Sequence, residues 1–126
     1  MRGVLDTSVF VGREQARPLG DLPDEAAISV VTLAELHLGV LVADGPRVRA
    51  RRLRTVTQVE RTFDALPIDD AVARAFAEIV SEARRNNLRP KIMDSFIAAT
   101  AVTHGVPVFT QDSDFDAIPQ VEVVRV

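Results

Sequence analysis

Lys91-Ile-Met-Asp94-Ser-Phe-Ile-Ala-Ala-Thr-Ala-Val-Thr-His104 reads as one helix, and Pro107-Val-Phe-Thr110 just beyond it reads as a short strand. Gly105 and Pro107 stop the helix. From Ser95 onward nearly every helical position is apolar, alanine or threonine, so most of its surface is expected to be buried. One carboxylate, Asp94, stands at its beginning. An ionised Asp in so apolar a neighbourhood is costly to desolvate unless a positive charge or several hydrogen-bond donors meet it.

Outward from this stretch the same alternation continues. Toward the N-terminus, Asp69 caps a helix with Val72, Phe76, Ile79, Val80 and Ala83 on one face, ending near Asn86-Asn87. Leu66-Pro-Ile68 is a short strand before it. Residues 47–64 form a long helix with Val48, Leu53, Val56, Val59 and Phe63 as its apolar stripe, preceded by the stop Asp44-Gly-Pro46. Ala26 to Val31 is a strand, and Thr32 opens a helix to about Ala43. Arg2 to Leu5 is the first strand, followed by the polar triplet Asp6-Thr-Ser8 and a short helix from Val9 to about Gln15. Toward the C-terminus, residues 111–118 make a turn and Val121 to Val126 the last strand. Short apolar strands alternating with helices indicate an α/β fold with a largely parallel sheet covered on both faces. In such a sheet, ligands gather beyond the carboxyl ends of the strands where strand order reverses. Asp6 directly follows the first strand and Asp112 closely follows the fourth. Were those strands neighbours, both acids would meet in one crevice.

The length of 126 residues suits one domain spanning 1–126. The absence of cysteine excludes disulfides, thiol catalysis and thiolate metal sites. Met1-Arg-Gly-Val-Leu-Asp6 reaches an acid after two large apolar residues, which does not fit a secretory signal. The longest uncharged run, Ser95 to Gln111, is too short and too broken for a membrane span, so a soluble, cytoplasmic protein is expected. The net charge of −3 gives no general attraction to nucleic acid. Its distribution is uneven: five arginines fall between Arg47 and Arg54, and Arg84, Arg85, Arg89 and Lys91 form a second basic group.

Each acid has a structural role open to it. Asp6 can cap the helix after the first strand. Thr32-Leu-Ala-Glu35 matches a capping box. Asp94 suits the helix macrodipole, and Lys91 lies close enough to pair with it. Asp112 and Asp114 can stabilise a turn. As a set they point elsewhere: two follow parallel strands, and two lie near the starts of helices. Several carboxylates in one crevice cannot all ionise without a counter-charge. With no Cys or adjacent His, all-oxygen ligation fits Mg2+, with Mn2+ as a substitute, rather than Zn2+. A Mg2+ ion held by carboxylates beside a phosphate supports phosphodiester hydrolysis by activated water.

Leu5-Asp-Thr-Ser8, Thr32-Leu-Ala-Glu-Leu36, Asp94-Ser-Phe-Ile-Ala-Ala99 and Thr110-Gln-Asp-Ser-Asp-Phe115 resemble, in order and spacing, the four acidic motifs of the PIN-domain ribonucleases. The chain's size is similar to that of the VapC toxins of VapBC toxin–antitoxin modules. The resemblance implies a three-layer α/β/α sandwich around a parallel five-stranded sheet ordered 3-2-1-4-5. It also implies an Mg2+-dependent endoribonuclease, usually a homodimer, held inactive by an antitoxin of the VapB type. By the same resemblance Asp6, Glu35, Asp94 and Asp112 are the catalytic metal-binding acids. Asp114 is a further acid of the metal site, and Thr110 a hydroxyl lining it.

Arg84, Arg85, Arg89 and Lys91 precede Asp94 and are the better RNA-phosphate ligands; the Arg47 helix reads rather as a solvated face. His37 and His104 stand alone and suit helix-surface or capping roles. Ser8 and Ser95 have no His–Asp arrangement to activate them. Phe10, Phe76, Phe96 and Phe109 read as core. A haloacid dehalogenase phosphatase needs a second Asp where Ser8 stands. A response-regulator receiver needs paired acids early, and a nucleotide-binding module needs a glycine-rich loop that is absent. The alternative is a catalytically silent PIN-like domain that acts only as a protein-binding module.

Overall fold

The strand Arg2–Leu5 (β1) sends Val4 to one face of the sheet and Leu5 to the other, as a pleated strand must. Val108 and Phe109 of β4 (Val108–Thr110) repeat the division beside it. The computed structural model describes residues 1–126. The remaining strands are β2 (Glu25–Ser29), β3 (Ala65–Leu66) and β5 (Val123–Arg125). The helices are α1 (Thr7–Glu14), α2 (Val30–Leu41), α3 (Pro46–Thr62), α4 (Asp70–Arg85) and α5 (Ile92–Thr103), with a 3-10 turn at Ser113–Ala117. All strand pairs are parallel and their order is β3-β2-β1-β4-β5. The sheet order is the one the resemblance implies, and β1 and β4 are indeed neighbours.

Two apolar layers follow from the pleat. On one face Val4 and Val108 meet Val72 and Ile79 of α4 and Ile97, Ala98 and Ala101 of α5. On the other, Leu5, Ile28 and Phe109 meet Val9 and Phe10 of α1, Leu36 and Val40 of α2, and Val56 and Val59 of α3. Each of the larger side chains so buried stabilises the fold by roughly 1.5–3 kcal/mol. Phe10 and Phe109 are core, as expected. Phe76 and Phe96 are only half-buried, and they stack at 4.0 Å between centroids to join α4 to α5. Gly3 allows the Phe109 ring to lie against β1, since a Cβ there would collide with that ring.

Three local expectations are corrected. The helix after β2 begins at Val30 and its cap is Ser29, whose hydroxyl accepts from the Val31 N–H at 3.0 Å. Thr32 therefore lies inside the first turn, and the Thr32–Glu35 capping box is not formed. Leu53 does not join the apolar stripe of α3 but stands half exposed, leaving Val56 and Val59 to anchor the helix. Lys91 pairs with Asp114 rather than Asp94. The Ser29 cap has a direct consequence: Ser29→Ala should cost about 1 kcal/mol. It should lower the urea midpoint without changing the slope of the transition.

Candidate active site

Asp6 continues the pleat of β1 by one residue, its N–H bonding the Phe109 carbonyl at 2.9 Å. It therefore faces the same side as Val4, toward α5. Thr110 stands opposite it on β4, and its hydroxyl donates to Asp6 Oδ2 at 2.9 Å. Asp6 also caps α1 by accepting from the Ser8 N–H, so its helix-capping role and its place in the cleft coexist. Ser8 Oγ lies 3.1 Å from Thr110 Oγ1 and accepts from the Gln111 N–H at 3.0 Å, which ties α1 to the end of β4.

Asp112 caps the Ser113–Ala117 turn, accepting from the Asp114 N–H. Its own N–H donates to Thr110 Oγ1. Glu35 reaches in from the first turns of α2, and Thr7 Oγ1 lies 2.7 Å from its Oε1. Asp94 sits in the first turn of α5, only 9% exposed, and its Oδ2 is buried without a hydrogen-bond partner.

These four acids line one cavity of about 590 Å³, together with Thr7, Ser8, Gln111, Val11, Ile92, Met93, Arg17 and Lys91. Asp114 is at its rim, where its carboxylate pairs with Lys91 Nζ. Thr110 is fully buried behind Asp6. Of the four basic residues expected to meet phosphate, only Lys91 lines the cavity. Arg84, Arg85 and Arg89 are exposed outside it. Arg17, on the loop after α1, does line it. No local signal marks Arg17, because its place depends on how that loop returns over the sheet. Thr7 was visible only as part of the Asp6-Thr-Ser8 triplet. The two histidines stay away from the cleft: His104 is the last residue of the α5 cap, and His37 pairs with Glu60 at 3.4 Å.

The electrostatics report strain of one sign. Burial raises the Asp6 carboxyl above the usual range, against the opposing pull of its Ser8 and Thr110 hydrogen bonds. Burial likewise raises Glu35, with Asp6 adding to the effect. Asp94 is pushed up to about 7, first by burial and then by the charges of Asp6, Glu35, Asp114 and Asp112. Lys91 is raised by its pairing with Asp114. No three acids stand close enough together to form a ready-made coordination shell. They do share one cleft, repel one another there, and include a buried carboxylate oxygen with nothing to bond. That donor set fits a hard cation that keeps part of its own water, as Mg2+ does, better than a bare ion in a closed cage.

Residues 3–121 match the PIN domain family. The chain is 50% identical to Ribonuclease VapC4 of Mycobacterium tuberculosis over 99% of this chain and 97% of that one. It is 44% identical to Ribonuclease VapC5 of the same organism, covering 98% and 95% of the two chains. The crystal structure of VapBC-5 from Mycobacterium tuberculosis, a member of the VapBC family of toxin-antitoxin systems, superposes with a TM-score of 0.89. It shares 43% identity and covers 99% of this chain and 98% of that one. With its parallel 3-2-1-4-5 sheet and its acids at the β1–β4 junction, the chain belongs to the PIN-domain family, among the VapC ribonucleases.

Proposed function

We propose that this chain is an Mg2+-dependent endoribonuclease, the toxin of a VapBC-type pair, in which Asp6, Glu35, Asp94 and Asp112 hold the metal. The observation that carries the reading is the meeting of four acids from four segments in one cleft, with the Asp94 oxygen buried and unpartnered. When bound, Mg2+ supplies an activated water and neutralises charge that builds on the phosphoryl oxygens. Mn2+, with the same preference for oxygen, can take its place.

The chain's own residues do the rest. Thr110 and Ser8 fix the Asp6 carboxylate, and Gln111 holds Ser8 in turn. Asp114 stands at the rim as a further acid, tied to Lys91. Lys91 and Arg17 place positive charge beside an acidic floor, where RNA phosphates have to approach. Arg84, Arg85 and Arg89, exposed beyond the cleft, are suited at most to phosphates farther along the strand. No helix is long and apolar enough to cross a membrane. By likeness to VapBC-5, a member of a toxin-antitoxin family, the partner is a VapB-like antitoxin; the homodimer is what the resemblance to the VapC toxins implies.

The test is to incubate the purified chain and Mg2+ with total cellular RNA and sequence the termini. A discrete set of new RNA ends, absent without the protein, is expected. An unchanged map of ends overturns the nuclease reading and leaves the binding module.

A further inference from the structure

We infer that Thr7 is the positioning residue for Glu35, with the buried Thr32 hydroxyl set against it; this rests on the metal-binding role given to Glu35 above. Thr7 Oγ1 lies 2.7 Å from Glu35 Oε1 and 3.0 Å from Thr32 Oγ1. A threonine hydroxyl has a single proton to give. Both Thr32 Oγ1 and Glu35 Oε1 are placed to accept it, and an ionised carboxylate, which only accepts, is the stronger claimant, so the Thr7 proton goes to Glu35.

Several features make this more than a passing contact. Thr32 is fully buried, and Thr7 is the partner of its hydroxyl. Glu35 has a long, rotatable side chain, and the bond from Thr7 is the hydrogen bond its carboxylate receives. The contact spans 28 residues of sequence and joins the first turn of α1 to α2. Because Thr7 immediately follows Asp6, one short segment sets the Asp6 carboxylate and orients the Glu35 carboxylate. With Oε1 engaged by Thr7, Oε2 is the oxygen left for a ligand. Thr110, backed by Ser8, treats Asp6 in the same manner, so both Asp6 and Glu35 are steered by hydroxyls. The Thr32–Glu35 spacing, which suggests a capping box, serves here to bring both side chains to Thr7.

The experiment titrates the full chain with Mn2+ alone, following free Mn2+ by electron paramagnetic resonance, for the wild type, Thr7→Val, Thr7→Ser, Thr32→Val and the double valine variant. Thr7→Val should weaken Mn2+ binding by about 10- to 100-fold, the usual effect of removing a group that orients a metal ligand. Its thermal midpoint should fall by several degrees at most, because the buried Thr32 hydroxyl loses its partner, and Thr7→Ser should restore both the midpoint and most of the affinity. Thr32→Val should lose less, and adding it to Thr7→Val should cost nothing more in affinity, since Thr32 reaches Glu35 only through its contact with Thr7. In cleavage assays the loss should fall on the metal concentration needed, with KM for RNA unchanged. Thr32→Val, away from the cleft, and Thr7→Ser keep the question decidable if Thr7→Val fails to fold. Wild-type affinity in Thr7→Val, or a Ser variant as weak as the Val one, overturns the assignment. A wild type that takes up no Mn2+ instead overturns the metal reading beneath it.

Discussion

Asp94→Asn should abolish RNA cleavage, a loss on the order of 10³-fold or more, while leaving the fold intact. Asn keeps the shape of the side chain and removes the negative charge that holds a cation. Asp94 is the acid whose charge the apo fold tolerates least, because its Oδ2 is buried and unpartnered and four other acids act on it. The same variant should therefore be more stable than the wild type without metal. The sign follows from proton linkage. The folded carboxyl titrates at about 7, whereas an Asp in the unfolded chain titrates near ~3.9. Between those values the folded state holds the extra proton, so wild-type stability falls as pH rises through that window and stays lowered above it. Asn does not titrate. The two proteins should match near pH 4, and the variant should lead at pH 8. Solvent at the cleft mouth screens the effect to about 1–2 kcal/mol, below the roughly 4 kcal/mol of an unscreened shift. Urea titrations at the two pH values in EDTA measure it. Wild-type cleavage by Asp94→Asn would mark Asp94 as a structural residue.

Withdrawing divalent cations should have an effect as large. Excess EDTA should reduce cleavage to background, and Mg2+ or Mn2+ added beyond the chelator should restore it. Activity unchanged in EDTA would remove the metal from the mechanism. Binding has a second readout in stability, since an ion that binds only the folded chain raises the unfolding free energy. At a hundred times Kd the gain is about 2.7 kcal/mol. Ligation requires Asp94 to lose its proton, so apparent affinity should fall up to about tenfold per pH unit below about 7 and level off above it. Asp94→Asn should show little of either response.

Much of this was legible before any coordinates. The α5 helix, its stop at Gly105, the β1 strand and the Asp69 cap are written in local terms, through apolar periodicity and terminating residues. The meeting of Asp6 with Asp112 followed from one topological condition, the adjacency of β1 and β4, which the sheet satisfies. The start of α2 was not legible. Val30 and Val31 are β-branched and extend an apolar run, so propensity favours strand, and packing against the sheet assigns them to the helix. Leu53 fitted the stripe of α3 by spacing alone, but the helix turns that edge to solvent. Arg17 in the cleft, the Lys91–Asp114 pair and the Thr7–Glu35 bond depend on segments far apart in sequence, and nothing at any single position announces them.

Asp94 belongs to the first turn of α5, whose Ile97, Ala98, Ala99 and Ala101 are wholly inside the protein. Moving that carboxylate out of place would mean pulling a central helix off the sheet, a cost comparable to unfolding the domain. Such an apparatus has no inexpensive off position of its own. Restraint therefore has to come from outside, as a plug in the entrance or a shortage of ions.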